Sequence, residues 1–413
     1  MPLFKNLRQF LYFLLVLLVI FSANIYLKWR EYQDFLELNE HEIVAKIQRD
    51  YFKRNKNGNK YRVLLLDAKK YSFYTVATKN TKISDYVRVE IFTLDVTFAS
   101  YLKGRFYMPT SKISSINLAK NTKDKAINFI ASQHQNSKIS EFYTALYFAE
   151  PISSELRSEI TKWGASHLIA ISGYHLGFIL SVFYLFLMPA FKMIYARFCP
   201  WRNFKIDIFC ISLLFLSGYF LILGVVPSFF RAFVLVLIGF YFAYKNIKIL
   251  SFETLFIVVA ICICVYPSLI LNIGFYLSVM GVFYIYLYLH HFRDVCGKMA
   301  HIFCLNIYMF FVMQVCVLYF FPLISFQQFG VLGLNFVFLL FYPISVLLHI
   351  FGYGWLMDEI LLKFLATDLN HVNAEISTFE FIVYNILSIF AIRSKFLSIT
   401  VLFIGILTFL FLL

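Results

Sequence analysis

The sequence predicts a polytopic α-helical membrane protein with a small β domain inserted near its start. Three observations predict it. First, 61% of the 413 residues are hydrophobic and 15% are charged, where a soluble domain carries about 25% charged residues. Mean hydropathy is +0.73. A water-soluble core cannot hide this much apolar surface, so lipid must cover it. Second, apolar runs of about 18 residues or more recur along the chain. Third, residues 28–126 interrupt that pattern with 20 Lys or Arg against 11 Asp or Glu, a net +9 out of the whole chain's +14.

The elements follow in order. An apolar run at 10–27 comes after Lys5 and Arg8 and is followed by Lys28-Trp29-Arg30 rather than by small residues. It reads as an uncleaved anchor, residues 1–27, and not as a signal peptide. Residues 28–115 form the basic domain. Its runs Arg62–Leu66, Ser72–Val76 and Val87–Phe92 alternate in the strand manner, and Asn55-Lys56-Asn57-Gly58-Asn59 supplies turn chemistry. Several short strands in about 80 residues suggest a small barrel of OB-like fold. Residues 116–163 read as amphipathic helices lying on the membrane, with apolar positions Ile127, Phe129, Ile130, Leu146 and Phe148. Residues 164–413 form the transmembrane domain, with spans near 165–190, 207–226, 228–244, 252–266, 268–290, 302–324, 328–350, 377–392 and 396–413.

Loop charge sets orientation. Lys192, Arg197, Arg202 and Lys205 mark one cytoplasmic loop, Lys245 and Lys248 the next, and Arg293 and Lys298 a third. This puts the N-terminus inside and the basic domain outside, which is allowed because long loops translocate despite their charge. Arg393 and Lys395 fall on the wrong side of that count, and a re-entrant hairpin at Pro343 would restore it.

Chemistry is sparse. The seven cysteines lie in or beside apolar runs without zinc-ligand spacing and read as small buried hydrophobes. There is no GxxxxGK[ST], HExxH, HxxEH or HxHxDH pattern. No cofactor, metal site or enzymatic activity is expected.

Polar residues inside spans are costly and need a reason. Gly164–Gly177 places His167, Ser172 and His175 at the start of a span, with Gly173 and Gly177 between and after them. On one continuous helix His167 and His175 would stand about 80° apart and could line a wet face; the alternative is that they cap the span. Pro227-Ser228-Phe229-Phe230-Arg231 sets Arg231 about one turn into an apolar helix, either snorkelling to the interface or facing a cavity. Asn272, Gly274 and Ser278 mark a third place. Gly330, Gly333, Asn335 and Pro343 mark a fourth. Helix packing is the alternative for both.

These marks occur in an informative order. HLIAISGYHLGFI (His167–Ile179) resembles the HLLAISGLHVGLI signature of the ComEC family of competence proteins. VPSFFRA (Val226–Ala232) resembles its PSVLRA segment, Tyr266–Val282 its GFqLSf segment, and Gly333–Pro343 its Asn-to-Pro segment; Tyr384 fits a later Tyr-containing helix. The likeness covers roughly 120–400. Tyr174 stands where the family prefers Leu, and Tyr276 where Gln is usual. The chain ends without the metallo-β-lactamase-like domain of longer members, so a separate nuclease is expected.

The resemblance implies a bacterial inner-membrane channel that imports single-stranded DNA during natural transformation. It implies a pathway at His167, Ser172, Gly173, His175, Arg231, Asn272, Gly274, Ser278 and Asn335. The implied partners are a periplasmic DNA receptor and a cytoplasmic helicase or ATPase; self-association into a homo-oligomer is left open. The basic domain agrees with this reading. Lys53, Arg54, Lys56, Lys60 and Arg62 suit phosphate, and Tyr61, Tyr71, Phe73 and Tyr74 suit stacked bases, the alternative for each aromatic being a barrel core. The rival readings are a secondary permease for a small or lipid-linked solute, and a non-conducting membrane scaffold.

Overall fold

The computed structural model describes residues 6–37, 40–54, 60–68, 70–77, 85–93, 95–116, 118–119, 121–198, 200–245, 247–293 and 297–413. The chain forms two compact units, one of residues 2–125 with 260–272, the other of 126–259 with 273–413.

The first unit opens with α1 (Leu7–Glu37). This helix does not stop at the predicted boundary near 27. Tyr32, Phe35 and Leu36 carry it into the core of the β domain, and the Tyr32 hydroxyl donates to the Val96 carbonyl at 2.7 Å. Six strands and one helix follow: β1 (Glu40–Arg54), β2 (Lys60–Asp67), β3 (Ser72–Ala77), β4 (Tyr86–Phe92), α2 (Phe98–Lys103), β5 (Arg105–Tyr107) and β6 (Thr110–Ile116). The strand order is β5-β3-β2-β1-β4-β6. Its two ends are consecutive in the chain. β5 runs parallel to β3, and β6 antiparallel to β4. One segment thus satisfies both edges, and the sheet closes on itself. β1 serves two neighbours, β4 through 40–46 and β2 through 46–54, with an irregularity between Ile47 and Arg49 where it bends. The alternation read in the sequence sends Val87, Val89 and Ile91 inward. Gly104 ends α2 in the left-handed region at φ 69°, which lets β5 turn back at once.

Asp124 ties this unit together from the start of α3 (Thr122–Ala131). It pairs with Lys46 and accepts from the Tyr86 hydroxyl at 2.8 Å and the Asn121 N–H at 3.2 Å. Burial pushes its carboxyl up, but the bonds from Lys46, Tyr86 and Asn121 outweigh that and hold it below the usual carboxylate range. Residues 260–272 belong to the same unit, where the Asn24 amide donates to the Cys264 carbonyl at 2.7 Å.

The second unit is helical: α4 (Ser137–Phe148), α5 (Ser154–Lys162), α6 (Ser166–Ile169), α7 (Gly173–Phe198), α8 (Phe204–Leu223), α9 (Pro227–Tyr244), α10 (Phe252–Val265), α11 (Ile273–Phe292), α12 (Lys298–Val312), α13 (Gln314–Phe320), α14 (Val331–Ile350), α15 (Asp358–Ala366), α16 (Thr378–Phe390) and α17 (Lys395–Leu412). A two-residue ladder joins β7 (Ile324–Ser325) to β8 (His371–Val372). Among the described residues seven helices are long and apolar enough to cross a membrane: α1, α7, α8, α9, α11, α14 with its preceding turn, and α17. The pair α12 and α13, bent by 41°, makes an eighth if taken as one span. The protein is a multi-pass membrane protein. The expected spans at 252–266 and 377–392 are helices of 14 and 13 residues, about 20 Å each, against a hydrocarbon core of about 30 Å.

Two expectations are corrected here. The chain does not turn back at Pro343, because α14 runs unbroken through it. Proline removes one helical hydrogen bond, and the turn is held by a hydroxyl chain: Tyr147 donates to Ser345 Oγ, which donates to the Tyr342 carbonyl, both at 2.8 Å. The break falls instead between α12 and α13. Helix α4, expected to lie on a surface, is packed inside its unit, with every residue from Phe142 to Tyr147 buried.

Candidate functional site

The Gly164–Gly177 stretch is not one helix. α6 ends at Ile169, Ala170 is extended, and α7 starts at Gly173. His167 and His175 therefore sit on separate helices, and the 80° relation does not apply. The break has a local cause. Ser172 Oγ accepts from the Tyr174 N–H at 3.3 Å, while His175 Nδ1 accepts from the Ser172 N–H at 3.2 Å. This is a reciprocal helix-start box with histidine in the place usually taken by Glu or Gln. His175 is fully buried, and its other nitrogen, Nε2, has no hydrogen-bond partner among the described residues. The ring stands edge-on to Tyr342, centroids 4.6 Å apart.

The second motif closes on this break. Ser228 Oγ donates to the Ile171 carbonyl at 2.5 Å, satisfying a group that the interrupted helix leaves open. Arg231 is 5% exposed and does not snorkel. Its Nε donates to Ser278 Oγ at 2.9 Å, which brings in the third motif. A Cβ at Gly173 would make ordinary contact with Ala232 at 3.5 Å and lie 3.9 Å from the Arg231 guanidinium, so the first turn of α7 sits directly beside α9.

The fourth motif meets the first through His167. Its Nε2 lies 3.0 Å from Asn335 Oδ1 and its Nδ1 lies 3.2 Å from the Gly164 carbonyl. Asn335 donates to Asn306 Oδ1 at 2.7 Å, and Asn306 donates to the Leu332 carbonyl at 2.8 Å. The Leu332 carbonyl can only accept, which fixes both amides and leaves His167 between two acceptors. They favour a charged ring. Desolvation is the larger effect, and it holds His167 below the ordinary histidine value. His167 is nonetheless an exposed residue.

Other expected positions fall elsewhere. Gly274 lies in the first turn of α11, while Asn272 belongs to the β-domain unit. In that unit Lys53, Arg54 and Lys60 are exposed and Tyr61 and Tyr74 are half-buried. Lys53 pairs in register with Tyr61 and Arg54 with Lys60. Arg62 forks onto Asp50 at 2.8 and 2.5 Å. Lys56 lies outside the described residues. Phe73 is a correction: at 0% exposure it is core and cannot stack on a base. Tyr71 joins an aromatic cluster with Phe35, Tyr101 and Phe106, and burial pushes its phenol up to about 12. The exposed aromatics are Tyr51 and Phe52, beside Lys53 and Arg54 on the same strand end, and Tyr107. Their signal was present, since a strand end loses its partners on both faces.

A second polar cluster carried no motif. His134 Nδ1 faces both Asp358 oxygens at 2.8 and 3.1 Å, and its Nε2 lies 3.0 Å from His349 Nε2. Tyr143 stacks on His134 at 4.8 Å. Among the described residues no group of three or more His, Cys, Asp or Glu could hold a metal ion.

Apolar spans with polar motif residues gathered inside them, together with a small closed β domain, define a membrane protein built around an internal polar site. No curated protein and no solved structure matches the chain. Residues 148–413 match the family described as Competence protein, and the chain belongs to that family. Membership ties the protein to DNA uptake in competence.

Proposed function

We propose that this protein conducts single-stranded DNA inward across the bacterial inner membrane, without catalysing a reaction itself. The observation that carries the reading is the convergence of four separated segments in one helical unit: Ser228 on Ile171, Arg231 on Ser278, and His167 on Asn335. A phosphate passing His167 would supply the anion that its charged form lacks, and Arg231 a second cation. In this reading the N-terminus is cytoplasmic and the β domain is periplasmic and OB-like. The closure of its sheet through the β5–β6 segment supports an OB-like fold. The exposed run Tyr51-Phe52-Lys53-Arg54, with Lys60 opposite, suits stacking and phosphate contact without base preference. A periplasmic receptor would deliver the strand, a cytoplasmic helicase or ATPase would pull it, and a separate nuclease would remove its complement.

The test follows labelled DNA in cells lacking the gene. DNA that reaches the periplasm in protected form but never the cytoplasm, with transformation abolished, supports the channel. Normal passage to the cytoplasm rejects it and leaves a permease or a scaffold.

A further inference from the structure

We propose that His134, His349 and Asp358 form a buried proton-binding clasp, in which one proton shared between the two imidazole Nε2 atoms pins the end of α14 to the α3–α4 turn. The two Nε2 atoms are 3.0 Å apart. Two lone pairs cannot face each other at that distance, and neither can two N–H groups, so one hydrogen lies between them.

The neighbours say whose it is. His349 Nδ1 lies 2.6 Å from the Ser345 carbonyl, which can only accept, so Nδ1 carries a hydrogen. In the neutral ring, His349 Nε2 is then an acceptor and His134 Nε2 the donor. The remaining nitrogen of His134 faces the Asp358 carboxylate. Whether that hydrogen sits on nitrogen or oxygen, the three groups together are neutral. A second hydrogen between the rings sets two N–H groups against each other; loss of the shared one sets two lone pairs against each other. The clasp therefore holds only within a pH window.

Groups from α4, the turn before it and α15 face the trio. From α4, Tyr143 stacks on His134 and the Tyr147 hydroxyl lies 3.4 Å from His349 Nδ1; burial pushes both phenols well up, so they stay neutral. From the turn before α4, Gln133 donates to the His349 carbonyl at 3.0 Å and accepts from the Gly354 N–H at 2.9 Å. From α15, Glu359 is exposed and paired with Lys363. The His134 side chain is 0% exposed and that of Asp358 16%, so protons reach the pair through Asp358.

What is pinned matters. α14 also carries Asn335, bonded to His167, and Tyr342, packed on His175. The clasp stands on its own geometry, whereas an effect on DNA passage rests on the reading proposed above.

The test is thermal unfolding of the full-length protein in detergent between about pH 5 and pH 9, the range in which histidine changes charge. Wild type should show a maximum in Tm with a fall of several degrees on each side. The double variant His134→Phe/His349→Leu, which removes both partners, should lose that maximum. Asp358→Asn should move the alkaline limb to lower pH, because the shared proton loses its counter-ion. Identical profiles for wild type and the double variant overturn the proposal. Loss of Tm on chelation, regained with Zn2+, overturns it too, by showing a metal between the rings. If the double variant does not accumulate, carbethoxylation of wild-type histidines supplies the reading. His134 and His349 should become reactive relative to exposed His371 only outside the window, and a ratio independent of pH rejects the clasp. Reduced DNA passage in Asp358→Asn with an unchanged Tm profile would also reject it, without touching the channel reading.

Discussion

The two units treat polar groups in opposite ways. In the β domain Leu64, Leu66, Phe73, Val87, Val89 and Ile91 fill the centre, and ion pairs such as Arg62–Asp50 and Arg88–Glu42 stand toward water. In the helical unit Arg231, His175, His349, Gln314, Gln327 and Gln328 are buried, while large apolar side chains such as Leu214, Leu221 and Phe411 are exposed. The difference follows from the solvent. Water rewards a polar exterior; lipid removes that reward, so polar groups gather where they can satisfy one another. The consequence is diagnostic. A buried polar group in the helical unit must find its partners within that unit, whereas a buried aromatic in the β domain is core.

Five substitutions would break or sharpen that contrast. Arg231→Glu should have the largest effect, abolishing DNA passage while protein remains detectable by immunoblot; unchanged passage would remove Arg231 from the pathway. Phe73→Ala should cost the β domain about 3–5 kcal/mol, as expected for a buried Phe, seen as a lower Tm of the full-length protein. Phe52→Ala, on an exposed strand end, should leave Tm nearly unchanged and weaken single-strand binding by about 1–3 kcal/mol if a base stacks there. A Phe52→Ala variant with wild-type affinity at low and high salt would shift attention to Tyr107. Gly354→Ala should cost about 1–3 kcal/mol, since the added carbon would lie 2.7 Å from both Gln133 Oε1 and the His349 ring. Asp124 gives the smallest and most specific effect. Its folded-state carboxyl is held below the ordinary value of about 3.9, so it stabilises the fold above that pH and the contribution is lost as pH falls through the lowered value. Asp124→Asn should flatten that acid limb in a Tm series, and an unaltered limb would show that another group carries it.

Much of this was legible in the sequence. Hydropathy gave the long spans, because α7, α8, α9, α11 and α17 are apolar on nearly every face. Period-two alternation gave β4 and which of its residues share a face. The four motif segments were legible as marks, and three of their meetings became visible only in three dimensions. What failed did so for physical reasons. Pro343 carries a helix-breaking residue, yet a hydroxyl chain from α4 stabilises the turn around it, and no sequence window contains both. The reach of α1 past residue 27 was hidden because Tyr32, Phe35 and Leu36 sit among charges that read as the start of the basic domain. The histidine clasp joins residues 215 and 224 positions apart, and neither histidine shows a periodic or motif signal. Phe73 looked like a stacking residue because strand alternation fixes which residues share a face but not which face is inside.

The continuity of α1 has a mechanical consequence. Its 31 residues span about 46 Å at 1.5 Å each, of which about 20 residues suffice to cross the hydrocarbon core. The rest form a stiff mast of about 15 Å that enters the β domain through Phe35 without any intervening joint. Within this unit the β domain is therefore joined to the first apolar helix through a packed core, and tension on anything gripped by its strand ends would be felt directly as tilt of that helix.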